Sequence, residues 1–278
     1  MTYRDLWQSL QTAYAPNEAQ AVVRLLLEEE FGLSLADVLG GATDNLDDEE
    51  KMRLSTMMAR LKRGEPVQHI IGYETFCGRK FHVSPAVLIP RPETEELCRW
   101  ILSHSLPTSP TILDIGTGSG CIAITLAAEL PTAHVEAWDI SEKALAIACE
   151  NANSSHVHVS FHLQDALLPP ADTEKWNVIV SNPPYICEQE RDTMSAIVID
   201  HEPAQALFVP DANPLCFYQA IAHYACHALK PDGLLYFEIN PLYVNNLSEM
   251  LNHFHFVNIS SKKDQFGKQR FILARKTI

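Results

Sequence analysis

The chain contains 278 residues, of which 46% are hydrophobic and 20% are charged. This composition supports a buried core and excludes an intrinsically disordered chain. The formal net charge of −14 disfavours a polyanionic partner such as DNA. The densest basic stretches, Lys62–Arg63 and Lys262–Lys263, are too short to override that charge.

Cysteine usage and hydropathy indicate the cellular compartment. The seven cysteines are scattered and form no C-x-x-C pair, which favours free thiols in a reducing compartment over disulfides or a metal site. The N-terminus lacks the basic and apolar regions of a signal peptide, and no apolar run is long enough to cross a bilayer. We therefore expect a cytoplasmic protein with no membrane attachment and no bound metal.

The first part of the chain predicts helices. Asn17 with Gln20 has the spacing of a capping box for a helix over 18–31, and Asp47 with Glu50 has the same spacing before another helix. Hydrophobic residues recur along that second helix at i, i+3, i+4 and i+7, which places on one face Leu54, Met57, Met58 and Leu61. We interpret residues 1–66 as a small N-terminal helical domain.

Residues 67–92 predict a joint between two domains. Aromatic and β-branched residues flank Cys77-Gly78 over 73–83, which indicates a β-hairpin. Pro90 and Pro92 keep the following segment extended, and Pro92 fits the first turn of a helix. The second domain then spans residues 93–278.

Strand patterns alternate with helix patterns in this second domain. Such alternation predicts an α/β fold with an open, mostly parallel sheet and helices on both faces. Ligands of these sheets bind beyond the carboxyl ends of the strands. Seven strands are predicted, over 111–115, 135–138, 157–163, 176–180, 234–239, 257–260 and 270–274.

The first of these strands leads into a glycine-rich loop, Gly116-Thr117-Gly118-Ser119-Gly120. Glycines let the backbone turn sharply and approach a ligand closely. Dinucleotide-binding enzymes use a similar loop, but here Asp114 precedes the glycines and no phosphate-binding lysine follows them. A carboxylate at that position disfavours a pyrophosphate and can face the ammonium and sulfonium groups of S-adenosyl-L-methionine.

Two further acids lie at the ends of the next two strands. Asp139 can accept hydrogen bonds from both hydroxyls of a ribose, and Asp165, next to Ala166, can accept one from the adenine amino group. Each carboxylate alone also fits a helix cap or a loop. Acids at the carboxyl ends of three consecutive strands favour a cofactor site.

The fourth strand leads into Asn182-Pro183-Pro184-Tyr185, the most specific motif in the chain. The two prolines cannot serve a sheet interior, so they predict a rigid loop at the sheet edge. The Asn182 side-chain oxygen and the Pro183 carbonyl can accept both hydrogens of an NH₂ group, on which Tyr185 can stack. The loop therefore predicts methyl transfer to a planar amide or amine nitrogen.

These motifs, with the segment Leu88–Glu95, resemble the release-factor glutamine N5-methyltransferases, the PrmC/HemK family. The resemblance implies a Rossmann-like class I methyltransferase domain joined by the hairpin to the helical domain. It implies that Asn182 to Tyr185 hold the glutamine of the Gly-Gly-Gln motif in peptide chain release factors. It also implies that the N-terminal domain recognises this partner, and that the cofactor contacts are Gly116 to Gly120, Asp139, Asp165, Ala166 and Asn182.

Other functions remain compatible with the motifs. An adenine N6-methyltransferase could use the same loop, although it needs a basic track for a nucleic acid. A glutamine methyltransferase for a ribosomal protein and a non-catalytic module that retains the fold are further alternatives. The roles of Glu202 and Glu238 stay open, since Glu202 could line a substrate cleft or begin a turn.

Overall fold

The computed structural model describes residues 2–277. The chain forms two compact units. The first contains the residues up to Tyr73 together with Met194–His201, and the second contains Glu74–Thr193 and the chain from Glu202 onward. Among the described residues, no helix combines the length and apolar character that crossing a bilayer requires.

The helices and strands of the described chain are numbered in sequence order. The helices are α1 (Tyr3–Gln8), α2 (Pro16–Phe31), α3 (Leu35–Leu39), α4 (Asp48–Lys62), α5 (Val67–Ile71), α6 (Pro92–Leu102), α7 (Cys121–Glu129), α8 (Glu142–Ser154), α9 (Ala196–His201), α10 (Ala204–Leu207), α11 (Cys216–Ala228) and α12 (Val244–His253). The strands are β1 (Tyr73–Phe76), β2 (Arg79–His82), β3 (Thr111–Ile115), β4 (His134–Asp139), β5 (Ser160–Leu163), β6 (Trp176–Ser181), β7 (Ile186–Cys187), β8 (Phe208–Val209), β9 (Leu229–Glu238), β10 (Phe256–Lys263) and β11 (Gln269–Lys276).

The first unit is a set of helices around an apolar core. Half of its buried apolar side chains come from α2 and α4, and Val67 and Ile70 of α5 join the same cluster. This unit therefore extends past residue 66. Leu54, Met58 and Leu61 are buried as their spacing predicts, and Met57 packs beside them half-buried.

The two predicted helix starts have different outcomes. Asp47 caps α4, since its carboxylate accepts from the Glu50 N–H at 2.8 Å and Glu50 bonds back to the Asp47 N–H. The capping box predicted for Asn17 is wrong, because α2 begins earlier, with Pro16 in its first turn and Ala15 as the uncapped N-cap residue. Proline is pre-organised for that position, so its backbone starts the helix without a side-chain cap.

The second unit contains a seven-stranded sheet in the order β10-β11-β9-β6-β3-β4-β5. β3 pairs in parallel with both β4 and β6, and β6 pairs in parallel with β9. β11 pairs antiparallel with both β9 and β10, so β11 alone runs opposite to the other six strands of this sheet. The chain winds outward from β3 to β5 and then returns to place β6 on the other side of β3, so a topological switch point lies between β3 and β6.

Helices cover both faces of this sheet. Ile112, Val178 and Tyr236 pack on one face with residues of α6 and α7, whereas Leu113 and Ile179 pack on the other with residues of α11 and α12. This alternation along buried strands is the expected pleat of a parallel sheet covered on both sides. The α/β fold and the mostly parallel seven-stranded sheet predicted from the sequence are confirmed.

We expect Asp47→Ala to lower the free energy of unfolding of the first unit by about 1 kcal/mol, because the Glu50 N–H loses its acceptor. Asn17→Ala is the matched control and should change it by less than about 0.5 kcal/mol. Urea denaturation followed by circular dichroism measures both. Equal losses for the two variants would contradict the assigned start of α2.

Candidate active site

A cleft opens in the second unit at the carboxyl ends of β3, β4, β5 and β6. The loops that follow these four strands all contribute to its walls. Of the residues singled out from the sequence, the lining contains Gly116, Thr117, Gly118, Ser119, Asp139, Asp165, Ala166, Asn182, Pro183 and Pro184. Asp114, Gly120 and Tyr185 are outside this lining, and each of them supports residues within it.

The glycine loop needs its glycines for two different reasons. Gly118 has a φ of 56°, and a Cβ added to it would meet no heavy atom within 4 Å, so the backbone here faces open space. Gly120 has a φ of 83°, and its Cβ would lie 2.7 Å from Ile124 Cδ1 and 3.2 Å from Ala148 Cβ. Gly118 thus leaves room for a ligand, whereas Gly120 lets α7 pack closely against α8.

Asp114 is fully buried beneath the loop, with 0% of its surface exposed. Its Oδ2 accepts a hydrogen bond from the Thr117 hydroxyl at 2.6 Å and from the Ala123 N–H at 3.2 Å. Burial raises the pKa of this carboxyl to about 7, although these two hydrogen bonds lower it. Asp114 therefore holds the loop from below and is not among the residues that line the cleft.

Asp139, the last residue of β4, connects the end of that strand to the glycine loop. One carboxylate oxygen accepts from the Gly118 N–H at 2.8 Å, and the other accepts from the Ser141 N–H at 2.9 Å. Burial raises the pKa of Asp139, while those backbone N–H groups lower it. Each oxygen keeps a second lone pair, so this carboxylate can also accept from ligand hydroxyls.

Asp165 and Ala166 form the part of the cleft wall that follows β5. Asp165 Oδ1 accepts from the Leu167 N–H at 2.8 Å, which holds the turn in place. Ala166 is half-buried, and its methyl group packs against the neighbouring apolar cluster. This wall offers a carboxylate edge and an apolar surface, with no aromatic ring at residue 166.

The loop Asn182–Tyr185, which the sequence predicts to hold the methyl acceptor and which is called the acceptor loop below, is anchored at both ends. The Ser181 hydroxyl donates to the Ile115 carbonyl at 2.6 Å, which ties the end of β6 to the end of β3. The Asn240 Nδ2 donates to the Tyr185 carbonyl at 3.1 Å. Because Pro183 and Pro184 have fixed φ angles, the loop between these two anchors is rigid.

Beneath the loop, Glu238 is 2% exposed and Thr94 is 3% exposed. Glu238 accepts from the Thr94 hydroxyl at 2.6 Å and from the Tyr185 hydroxyl at 3.2 Å. Burial raises the pKa of Glu238, opposed by these bonds and by the nearby charge of Arg270. The Tyr185 ring is therefore held by its hydroxyl and packs beside the cleft. The sequence left the role of Glu238 open, and its position at the end of β9 was the available signal.

Arg91 is a cleft residue that the sequence motifs did not single out. It is the only arginine, lysine or histidine among the described residues that line this cleft. Its guanidinium pairs with Glu202, whose other oxygen accepts from the Ile89 N–H at 3.1 Å. Glu202 is buried and is not among the residues that line the cleft, and its carboxylate holds the 89–91 segment in place.

The described residues contain no group of three or more His, Cys, Asp or Glu side chains arranged to hold a metal ion. The cleft instead offers polar ligand groups of another kind, which are backbone N–H groups, two carboxylates, one guanidinium and several side-chain amides and hydroxyls. These groups suit a polar organic cofactor with hydroxyl, amino and carboxylate groups.

Two solved structures of methyltransferases share this fold. One from Pyrococcus furiosus aligns with a TM-score of 0.55 and 16% identity, over 81% of this chain and 100% of that chain. A ribosomal protein L11 methylase from Lactobacillus delbrueckii subsp. bulgaricus aligns with a TM-score of 0.51 and 21% identity, over 70% of this chain and 83% of that chain. The family model of the methyltransferase small domain matches residues 97–208. Fold and cleft together define an S-adenosylmethionine-dependent methyltransferase.

Relatives with higher sequence identity belong to the same family that the sequence motifs resemble. The family model of the PrmC N-terminal domain matches residues 4–72. Release factor glutamine methyltransferases from Bacteroides thetaiotaomicron and Flavobacterium psychrophilum are 44% and 39% identical, over 97% and 95% of this chain and 97% and 94% of their own. One from Enterococcus faecalis is 36% identical over 96% of both chains. The chain belongs to the release factor glutamine methyltransferase family, which confirms the resemblance found in the sequence.

The buried Asp114 predicts a pH-dependent stability. Since its folded pKa of about 7 lies above its usual value of 3.8, the native state holds a proton that the unfolded chain has released between about pH 4 and 7. The stability contributed by protonated Asp114 is thus complete below about pH 4 and is lost as the pH rises to 7.

We expect Asp114→Asn, which cannot ionise, to gain stability relative to the unsubstituted protein as the pH rises through that window. The gain should be on the order of 1 kcal/mol for each pH unit. Urea denaturation at several pH values measures the difference in the free energy of unfolding. A difference that does not vary with pH would contradict the burial-induced shift.

Proposed function

We propose that this protein transfers a methyl group from S-adenosyl-L-methionine to the side-chain amide nitrogen (N5) of the glutamine in the Gly-Gly-Gln motif of peptide chain release factors. The observation that carries this proposal is that the glycine loop and the Asn182–Pro184 loop line one cleft. A donor site and an acceptor site within one cleft bring the two reacting groups together, which is the main requirement of methyl transfer.

The cleft fits the proposed cofactor at four points. The open space at Gly118 admits a ligand against the backbone. Asp139 has lone pairs for the two ribose hydroxyls, and Asp165 and Ala166 offer a polar edge and an apolar surface to an adenine ring. Arg91 supplies a positive charge for the carboxylate of the methionine moiety. When bound, the cofactor supplies a sulfonium-linked methyl group.

The acceptor loop acts by orienting a weak nucleophile. An amide nitrogen attacks poorly because its lone pair is delocalised into the carbonyl group. The Asn182 side-chain oxygen and the Pro183 carbonyl accept hydrogen bonds from its two N–H groups. These bonds align the nitrogen and stabilise the positive charge that develops on it. Tyr185 lies outside the cleft lining and anchors this loop through its hydrogen bond to Glu238. The nitrogen becomes acidic as it gains the methyl group and loses one N–H proton to water, so a strong general base is unnecessary.

The choice of a protein acceptor rests on the family and on charge. The relatives carry the name release factor glutamine methyltransferase, and a formal net charge of −14 opposes a nucleic-acid acceptor. We assign recognition of the release factor to the N-terminal helical domain and methyl transfer to the domain that begins at residue 93. This function implies action in the cytoplasm, where translation terminates.

The decisive experiment supplies the purified protein with radiolabelled S-adenosylmethionine and one of several acceptors. These are an unmodified release factor, unmodified ribosomal proteins, and unmethylated duplex or single-stranded DNA. Label on the release factor that maps to the Gly-Gly-Gln peptide would support the proposal. Label on DNA or on a ribosomal protein alone would overturn the proposed acceptor, and binding of the cofactor without any transfer would overturn the enzymatic role.

Asn182→Ala should lower the rate of methyl transfer at least about 100-fold, because the acceptor amide loses a hydrogen bond that aligns it in the transition state. The melting temperature should change little, since Asn182 lies in the cleft wall. Asn252→Ala, on the exposed side of α12, is the matched control and should retain full activity. Near-normal turnover by Asn182→Ala would contradict the role of the acceptor loop.

Asp139→Ala should weaken binding of S-adenosylmethionine roughly 10- to 100-fold, the effect of losing hydrogen bonds to a charged acceptor. Glu136→Ala is the control on the same strand, because Glu136 pairs with Lys175 and His162 and is outside the cleft lining. Isothermal titration calorimetry measures both dissociation constants. An unchanged constant for Asp139→Ala would argue against a ribose contact.

A further inference from the structure

The Thr94 hydroxyl lies between the acceptor loop and a buried carboxylate. Thr94 Oγ1 donates to Glu238 Oε2 at 2.6 Å, and Asn182 Nδ2 donates to Thr94 Oγ1 at 3.4 Å. Thr94 and Glu238 are 3% and 2% exposed, so water has little access to either side chain. Thr94 comes from α6, Asn182 follows β6 and Glu238 ends β9, so three separate elements meet at this hydroxyl.

When Glu238 is ionised beside Arg270, the order of donors and acceptors in this chain of groups has one solution. An ionised carboxylate only accepts, so the Thr94 hydroxyl must give its single proton to Glu238. The Thr94 oxygen can then only accept, and the group that faces it from Asn182 must be the NH₂. The side-chain carbonyl oxygen of Asn182 is consequently the end that remains for the acceptor. The orientation of this amide thus follows from the hydrogen-bonding chemistry of the groups around it.

The other carboxylate oxygen of Glu238, Oε1, contacts the acceptor loop at its far end, where Tyr185 lies. The Tyr185 hydroxyl donates to Glu238 Oε1 at 3.2 Å. Arg270, which pairs with Asp264, is the cation that faces Glu238, and Glu93 is the nearby anion that opposes ionisation. One buried carboxylate thus contacts Tyr185 directly and Asn182 through Thr94.

We propose that Thr94 is a positioning residue which, together with Glu238, fixes the side-chain amide of Asn182 with its carbonyl oxygen toward the acceptor amide. This inference rests on the proposed role of the Asn182–Tyr185 loop as the acceptor site. A rotated Asn182 amide would present its own NH₂ to the NH₂ of the acceptor, and two donors cannot form the hydrogen bond that methyl transfer requires. Thr94 lines the same cleft, and in this proposal it acts on the reaction through Asn182.

The test compares Thr94→Val with Thr94→Ser. Valine keeps the shape of threonine and removes the hydroxyl, whereas serine keeps the hydroxyl. Thr94→Val should lower kcat for the release factor about tenfold or more, because the Asn182 amide is no longer held in its reactive orientation. Thr94→Ser should stay within about threefold of the unsubstituted protein. The dissociation constant for S-adenosylmethionine should be the same in all three proteins.

Two results would overturn the proposal while leaving the proposed function intact. In the first, Thr94→Val turns over normally although Asn182→Ala is inactive, which would show that the loop works without its support. In the second, Thr94→Val and Thr94→Ser lose activity equally, which would assign the loss to packing. Loss of transfer to every acceptor in the unsubstituted protein would instead overturn the proposed function.

A second comparison keeps the proposal testable if Thr94→Val alone lowers stability. Asn182→Asp replaces the amide with a carboxylate, which presents an acceptor oxygen in either orientation and needs no fixing. Adding Thr94→Val to Asn182→Asp should therefore change the remaining kcat by less than about twofold, as for a residue that acts only through Asn182. If Thr94→Val lowers kcat by the same factor with and without Asn182→Asp, then Thr94 acts in another way.

Discussion

The parallel pairing of β3 with both β4 and β6 is the constraint on which the site depends. Parallel strands end at the same edge of a sheet, so the loops after β3, β4, β5 and β6 must meet there. The reversal of strand order between β3 and β6 prevents these loops from covering one another and leaves a crevice. The glycine loop and the Asn182–Pro184 loop line one cleft because the sheet places them there, although they are more than sixty residues apart in the chain.

Buried polar groups then hold those loops at fixed positions. Asp114 supports the glycine loop from below, Ser181 ties the acceptor loop to β3, and Glu238 supports that loop together with Thr94. Each is a polar group in an apolar surrounding whose hydrogen bonds are costly to break. Groups of this kind restrict the loops to one geometry, and a reaction that depends on aligning a weak nucleophile requires such restriction.

Much of the fold and of the cleft lining followed from the sequence, and the failures have physical causes. The alternating pattern located all seven strands of the large sheet, because long buried strands and amphipathic helices leave a strong periodic signal. The short elements α9, α10, β7 and β8 leave no such signal, and they were not predicted. The start of α2 was placed too late, because Pro16 can begin a helix without the side-chain cap on which that prediction relied.

The sequence by itself determined the class of fold, the family and the loops that line the cleft. Glycines and prolines restrict or free the backbone locally, and acids at strand ends are visible in the sequence pattern, so these features need no tertiary information. Only the tertiary structure decided which polar residues support these loops. Asp114 looked like a ligand group and is buried beneath the loop, whereas Thr94, Glu202 and Glu238 gave no clear signal and proved to be buried supports. Their roles depend on partners 53 to 144 residues away in the chain, and such contacts exist only after the sheet has assembled.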